Sequence, residues 1–154
     1  LFISKDMKAY RSIIINKPNV EVFNYIKYLK NQQNYSKWAG LDPNMKNEFT
    51  GTDGQIGFTN SWEGNKKVGE QEIKGIVDGK QLITELRFIK PFKSVAKSTM
   101  STEPVDANST KVTWGFESQM NYPMNLMKLF MNMDKAIGDD FSVGLNNLKA
   151  LMEK

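Results

Sequence analysis

From Met45 to Met120 the chain is a succession of six runs in which apolar and polar residues alternate, with no helical stretch between them. The last run is the clearest. Val112, Trp114, Phe116, Ser118 and Met120 fall on one phase, and Lys111, Thr113, Glu117 and Gln119 on the other. Leu82, Thr84, Leu86 and Phe88 alternate in the same way, as do Ile56, Phe58, Asn60 and Trp62. Val68 to Val77, Phe92 to Glu103 and the weaker Met45 to Thr50 complete the set. A period of two is the signature of a strand. The runs are punctuated by Gly51-Thr52-Asp53-Gly54, Glu63-Gly64-Asn65, Asp78-Gly79, Pro91 and a loop from Pro104 to Ser109. Connections this short make neighbouring strands antiparallel. One phase of each run is polar, so the other phase must be covered by something else.

The final helix is the only element long enough to cover it. It is predicted to open at Pro123 and run to the C-terminus, with Met127, Phe130, Met131, Ile137, Phe141, Leu145, Leu148 and Met152 spaced by three and four. At 1.5 Å per residue it would be roughly 45 Å long. Ahead of the meander, Arg11 to Ile15 reads as a strand, Pro18 to about Lys30 as a helix burying Val22, Phe23, Ile26 and Leu29, and Asn31 to Trp38 as a short second helix. Gly40 to Pro43 reads as a turn. The fold class is α+β, a curved antiparallel sheet of about seven strands wrapped around one long helix. Side chains alone do not fill such a space, so a cavity is expected between sheet and helix.

The composition excludes more than it suggests. The 154 residues suit one domain. There is no cysteine and no histidine, which removes disulfides, thiolate nucleophiles, Ser-His-Asp triads and most transition-metal sites. No metal or cofactor is implied. The net charge of +4 comes almost wholly from lysine, with Arg11 and Arg87 the only arginines. Nucleic-acid sites favour arginine forks, so no nucleic-acid partner is expected. Gly51 to Gly54 lacks the phosphate-loop pattern, and Asp139-Asp140 reads as a surface pair. No apolar run reaches the roughly 20 residues of a membrane span. Residues 1–9 are set apart as an N-terminal extension whose Leu1-Phe2-Ile3 is either the stub of a removed membrane anchor or a tag junction, and residues 10–154 form the domain. Without an anchor, the cytoplasm is the expected compartment. Nothing in the sequence signals an oligomer.

Arg11 to Pro18, Val22-Phe23, Trp38, Gly54 to Gly57 leading to Trp62, Thr110 to Trp114, and Gly144 to Lys149 follow in an order that resembles the START-like, helix-grip superfamily (SRPBCC), in its polyketide cyclase/dehydrase-like branch. The resemblance covers nearly all of the chain from Tyr10 onward. It implies the helix-grip fold with an internal cavity. It is poorly specific for function, because that fold carries cyclases, lipid carriers, hormone receptors and chaperone co-factors. Similar bacterial members often carry a membrane anchor before the first strand, which favours the anchor reading of the N-terminus.

The candidate cavity lining is Trp38, Phe58, Asn60, Trp62, Gln71, Thr84, Phe88, Ser98, Met100, Trp114, Phe116, Met127, Phe130, Met131, Asp134 and Phe141. The aromatic and Met members read either as core or as an adaptable apolar wall. Phe92 belongs to the same set. The resemblance places Trp38 near the pocket mouth. Asn60, Gln71, Thr84 and Ser98 fall on the inward phase and could orient ligand oxygens or simply satisfy neighbours. Glu70, Glu72, Glu85 and Glu117 fall on the outer phase and read as solvated. Asp134 lies within the apolar stripe of the final helix and is the best catalytic candidate. It is either a polar anchor or raised-pKa acid, or a group that bonds a Tyr, Lys or backbone atom and fixes the helix. Gly138, one turn on, allows close packing.

Three functions follow. The first is binding of a hydrophobic small molecule, lipid-like or polycyclic. The second is a cyclase or dehydratase, a lyase or isomerase working without metal or histidine. The third is a protein-interaction domain with a filled interior.

Overall fold

The computed structural model describes residues 6–39, 42–90, 93–119 and 132–154. Seven strands form one antiparallel sheet: β1 (Asp6–Ile15), β2 (Lys46–Thr50), β3 (Thr59–Glu63), β4 (Val68–Val77), β5 (Gln81–Lys90), β6 (Ser94–Asp106) and β7 (Ser109–Gln119). Their order is β1-β7-β6-β5-β4-β3-β2, so consecutive hairpins build the sheet and β1 closes onto the last strand. Helix α1 (Asn19–Ile26) and a 3₁₀ turn (Leu29–Asn34) follow β1, and helix α2 (Met133–Met152) ends the chain. This is the helix-grip arrangement.

Several boundaries differ from the sequence reading, each for a local reason. β1 starts at Asp6, so residues 6–9 are strand. Met7 and Ala9 continue the inward phase and are buried. α1 stops at Ile26, where Tyr28 turns extended, and the second helix begins earlier, at Leu29. The Asp53 carboxylate starts that turn by accepting from the backbone N–H groups of Leu29 (2.7 Å) and Lys30 (3.0 Å). Ile56, expected inward, is exposed beside Gly57, whose φ of +98° bends the chain before β3. β6 runs through Pro104 to Asp106; Thr102, two residues before Pro104, donates its N–H toward Lys80 on the β5 side, so the proline's missing N–H falls past the start of β5 and outside the β6–β7 ladder. α2 starts at Met133, where Asn132 caps it by accepting from the Lys135 N–H at 3.0 Å. Its 20 residues span about 30 Å. The expected start at Pro123 lies outside the described residues.

α2 lies chiefly against β1, and α1 against β6 and β7. The main core brings Ile15, Val22, Phe23, Ile26, Val112, Trp114, Phe141, Leu145 and Leu148 together. A second, smaller core of Leu29, Phe58, Ile73 and Leu82 sits under the 3₁₀ turn. Gly144 permits the close approach of α2 to the sheet, since a Cβ there would stand 2.8 Å from the Trp114 ring.

Candidate functional site on the concave face

The inward phase of β3 to β6 carries a central polar residue on each strand, and β6 adds Thr102 farther along, whose Oγ1 donates to the Gly79 carbonyl at 3.0 Å. Asn60, Gln71, Thr84 and Ser98 are each less than a tenth exposed. Register makes them a row: Asn60 lies opposite Gln71, and Thr84 opposite Ser98. Gln71 Nε2 donates to Thr84 Oγ1 at 2.9 Å, and Thr84 Oγ1 donates to the Ser98 carbonyl at 3.4 Å. Ser98 Oγ donates to the Gly115 carbonyl at 3.2 Å and accepts from Trp114 Nε1 at 3.3 Å. The carbonyls can only accept, which sets the direction of both chains and turns the Gln71 nitrogen toward Thr84. The β6–β7 end of the row is therefore satisfied. At the other end Asn60 Oδ1 is buried and has no hydrogen-bond partner among the described residues.

Apolar groups surround the row. Trp62 and Phe88 meet edge to face at 6.3 Å, with the Trp62 ring against Gly69. Trp114 stacks on Phe141 at 4.5 Å, and Tyr35 meets the Trp114 ring edge at 5.8 Å. Tyr35 also donates its hydroxyl to Met100 Sδ at 3.4 Å. Burial pushes the Tyr35 hydroxyl well above its ordinary pKa of 10, so it stays neutral. Phe116 is buried on β7, and Phe58 belongs to the smaller core. Trp38 lies beyond the 3₁₀ turn and is 40% exposed, with its ring near Trp114 and Phe141. Its Nε1 donates to Asp140 at 3.0 Å, beside the Lys37–Asp140 ion pair. Asp140 is thus tied to the loop carrying Trp38, while Asp139 pairs with Lys135 on the helix surface.

The helix wall contributes Asp134, half-buried, whose Oδ1 is buried with no hydrogen-bond partner among the described residues. Met127, Phe130, Met131 and Phe92 lie outside the described residues. Two groups escaped the sequence reading. Arg11 shares the inward phase of Ala9, Ile13 and Ile15, and its guanidinium rests against Gly138 of α2. A Cβ at Gly138 would lie 2.4 Å from that group. Phase counting back from Ile15 would have found it. Tyr35 had no signal, because a 3₁₀ turn has no amphipathic period long enough to read.

Away from Arg11 and Asp134, the stretch from β3 to β7 offers neutral hydrogen bonding in apolar surroundings. No Asp or Glu occupies the inward phase of β3 to β7. Among the described residues no cluster of three His, Cys, Asp or Glu side chains is placed to hold a metal ion, and no helix is long and apolar enough to cross a membrane. An open groove of about 470 Å³ lies elsewhere, between Glu21, Tyr25 and Tyr28 of the first helical segment and Met152 of α2.

No family model matches the sequence, and no curated protein does. Solved structures do. A solution structure from Thermobifida fusca aligns with a TM-score of 0.71 at 16% identity, over 92% of this chain and 90% of that one. Norcoclaurine synthase from Thalictrum flavum, in complex with dopamine and hydroxybenzaldehyde, aligns with a TM-score of 0.67 at 8% identity, over 97% and 87%. DynU16, from the dynemicin biosynthetic locus, aligns with a TM-score of 0.65 at 11% identity, over 96% of this chain and 47% of its own. At such identities the likeness is one of fold.

Proposed function

We propose that this domain binds a hydrophobic small molecule, lipid-like or polycyclic, between the concave face of the sheet and α2. The observation that supports this reading best is the row of buried, uncharged polar side chains crossing an apolar face, with its Asn60 end unpartnered among the described residues. A face built only to be packed gains nothing from such a group. An unpaired buried polar atom costs about 1–3 kcal/mol, and a ligand can recover that cost. The fold's use by norcoclaurine synthase to hold two small aromatic molecules supports the same reading. The test is native mass spectrometry of the purified protein, followed by organic extraction. A retained lipid or aromatic compound is the expected result. A clean apo mass, unshifted by a panel of hydrophobic ligands, would sink the proposal in favour of a protein partner.

A second reading, a cyclase or dehydratase, draws on Asp134. Its carboxylate oxygen in the helix wall, unpartnered among the described residues, is the kind of group such chemistry needs as an acid or base. With a substrate in hand, Asp134→Asn should abolish turnover; unchanged turnover would end the acid role.

A further inference from the structure

Resting on the binding reading above, we infer that Asn60 and Gln71 form a receptor for a hydroxyl group on an otherwise apolar, uncharged ligand. The two amides stand directly opposite each other on neighbouring strands, where side chains on one face lie about 5 Å apart at Cβ. They make no hydrogen bond to each other. Asn60 is 6% exposed and its Oδ1 is without a partner among the described residues. Gln71 has committed its nitrogen to Thr84, which the Ser98 carbonyl holds in the accepting orientation. What remains is an acceptor on each amide, the two N–H donors of Asn60 and the second N–H of Gln71.

That inventory selects the ligand group. A carboxylate or phosphate could accept from the amide N–H groups, but it would leave both amide oxygens unpaired and bury a negative charge with no Lys or Arg among the buried residues of β3 to β5. An ammonium would find acceptors but no compensating charge on this stretch of sheet, and a buried unpaired charge is costly. A hydroxyl donates one hydrogen bond and accepts others, so it can meet both kinds of group. Trp62 and Phe88, on the same phase next to the pair, supply apolar walls for the carbon skeleton.

The test uses two probe pairs that differ by one hydroxyl, naphthol against naphthalene and dodecanol against dodecane, each displacing Nile red from the protein. The hydroxyl member of at least one pair should bind wild type about tenfold tighter, and Asn60→Leu should bring the two members of that pair to equal affinity. The melting temperature of Asn60→Leu without ligand should hold or rise, because an unpaired buried polar group gives way to an apolar one. Equal binding of both members of each pair would overturn the hydroxyl receptor and leave the container intact; a site that only holds water behaves this way. A melting temperature lowered by about 3 °C or more would make Asn60 a structural group and also overturn it. If none of the four probes displaces the dye, the container reading falls and the receptor with it. Should Asn60→Leu fail to fold, Asn60→Ala carries the same binding comparison.

Discussion

The two faces of the sheet use polar residues in opposite ways. On the convex face charge is abundant and paired: Arg87 donates to Glu70 (2.6 Å), Glu72 (2.8 Å) and Glu85 (2.8 Å), and the Tyr10 hydroxyl donates to Glu117. On the concave face the polar row carries no charge, is buried, and is satisfied at one end only. Convex pairs sit partly in water, where screening makes them replaceable at small cost. Concave groups are buried, so each bond made or missed there has a larger consequence. The contrast can be tested on stability: losing a convex pair should cost little, and changing the satisfied end of the concave row should cost more than changing its Asn60 end.

The largest effect should come where the concave face meets the helix. Trp114 is 3% exposed and joins the sheet to Phe141 and Tyr35. Trp114→Ala should cost about 3–5 kcal/mol in denaturant unfolding. A loss below about 1 kcal/mol would mean that this stack does not anchor α2.

Ser98→Ala breaks the comparison at the satisfied end. It leaves the buried Trp114 Nε1 without its acceptor and should cost about 1–3 kcal/mol. Asn60→Leu, at the other end, should cost nothing. If both substitutions destabilise equally, the two ends do not differ and the functional reading of Asn60 loses its basis.

These residues show how far a period of two can be read. The alternation sufficed to put Asn60, Gln71, Thr84 and Ser98 on the inner face, because side-chain phase is local. It did not show which of them bond, since that depends on register: Gln71 reaches diagonally to Thr84, and its direct partner on β5 is Leu86. Register also hid the Arg87 cluster. Its three glutamates read as an outer phase, but only the hairpin at Asp78-Gly79 sets Glu70 opposite Arg87 and Glu72 opposite Glu85. The apolar stripe carried the final helix smoothly through position 132, whereas a single capping side chain, Asn132, starts it there. A stripe records which face is apolar and says little about where a helix begins.

On the convex face Arg87→Gln should cost about 1 kcal/mol at pH 7, reduced by salt. The Arg87 hydrogen bond is the main cause that holds the Glu72 carboxyl below its ordinary 4.5, opposed by partial burial and aided by Lys74. A depressed folded value adds stability above the unfolded pKa and loses it as pH falls through the folded one. The gap between wild type and variant should therefore narrow as pH drops below about 4.5. A gap constant from pH 7 to pH 3, measured by urea unfolding, would remove the charge from the explanation.

The smallest effect tests the same face from the alkaline side. Its hydrogen bond to Glu117, with burial and the Glu117 charge adding to it, pushes the Tyr10 hydroxyl from 10.0 up to about 12. The ring also covers Gly115, where a Cβ would stand 2.5 Å from it. Tyr10→Phe keeps that cover and removes only the hydroxyl. Because Tyr10 is 46% exposed, the loss at pH 7 should be about 0.5 kcal/mol or less. The raised value means that the folded state holds the phenolic proton more tightly than the unfolded chain does. Its contribution is whole below pH 10 and disappears as pH rises from 10 toward 12. Every other group is common to the two proteins, so the difference between their unfolding curves isolates Tyr10. Those curves should converge between pH 10 and 12. If they stay parallel, the Tyr10–Glu117 bond adds nothing to stability, and the convex face is held by its Arg87 cluster and its backbone ladder.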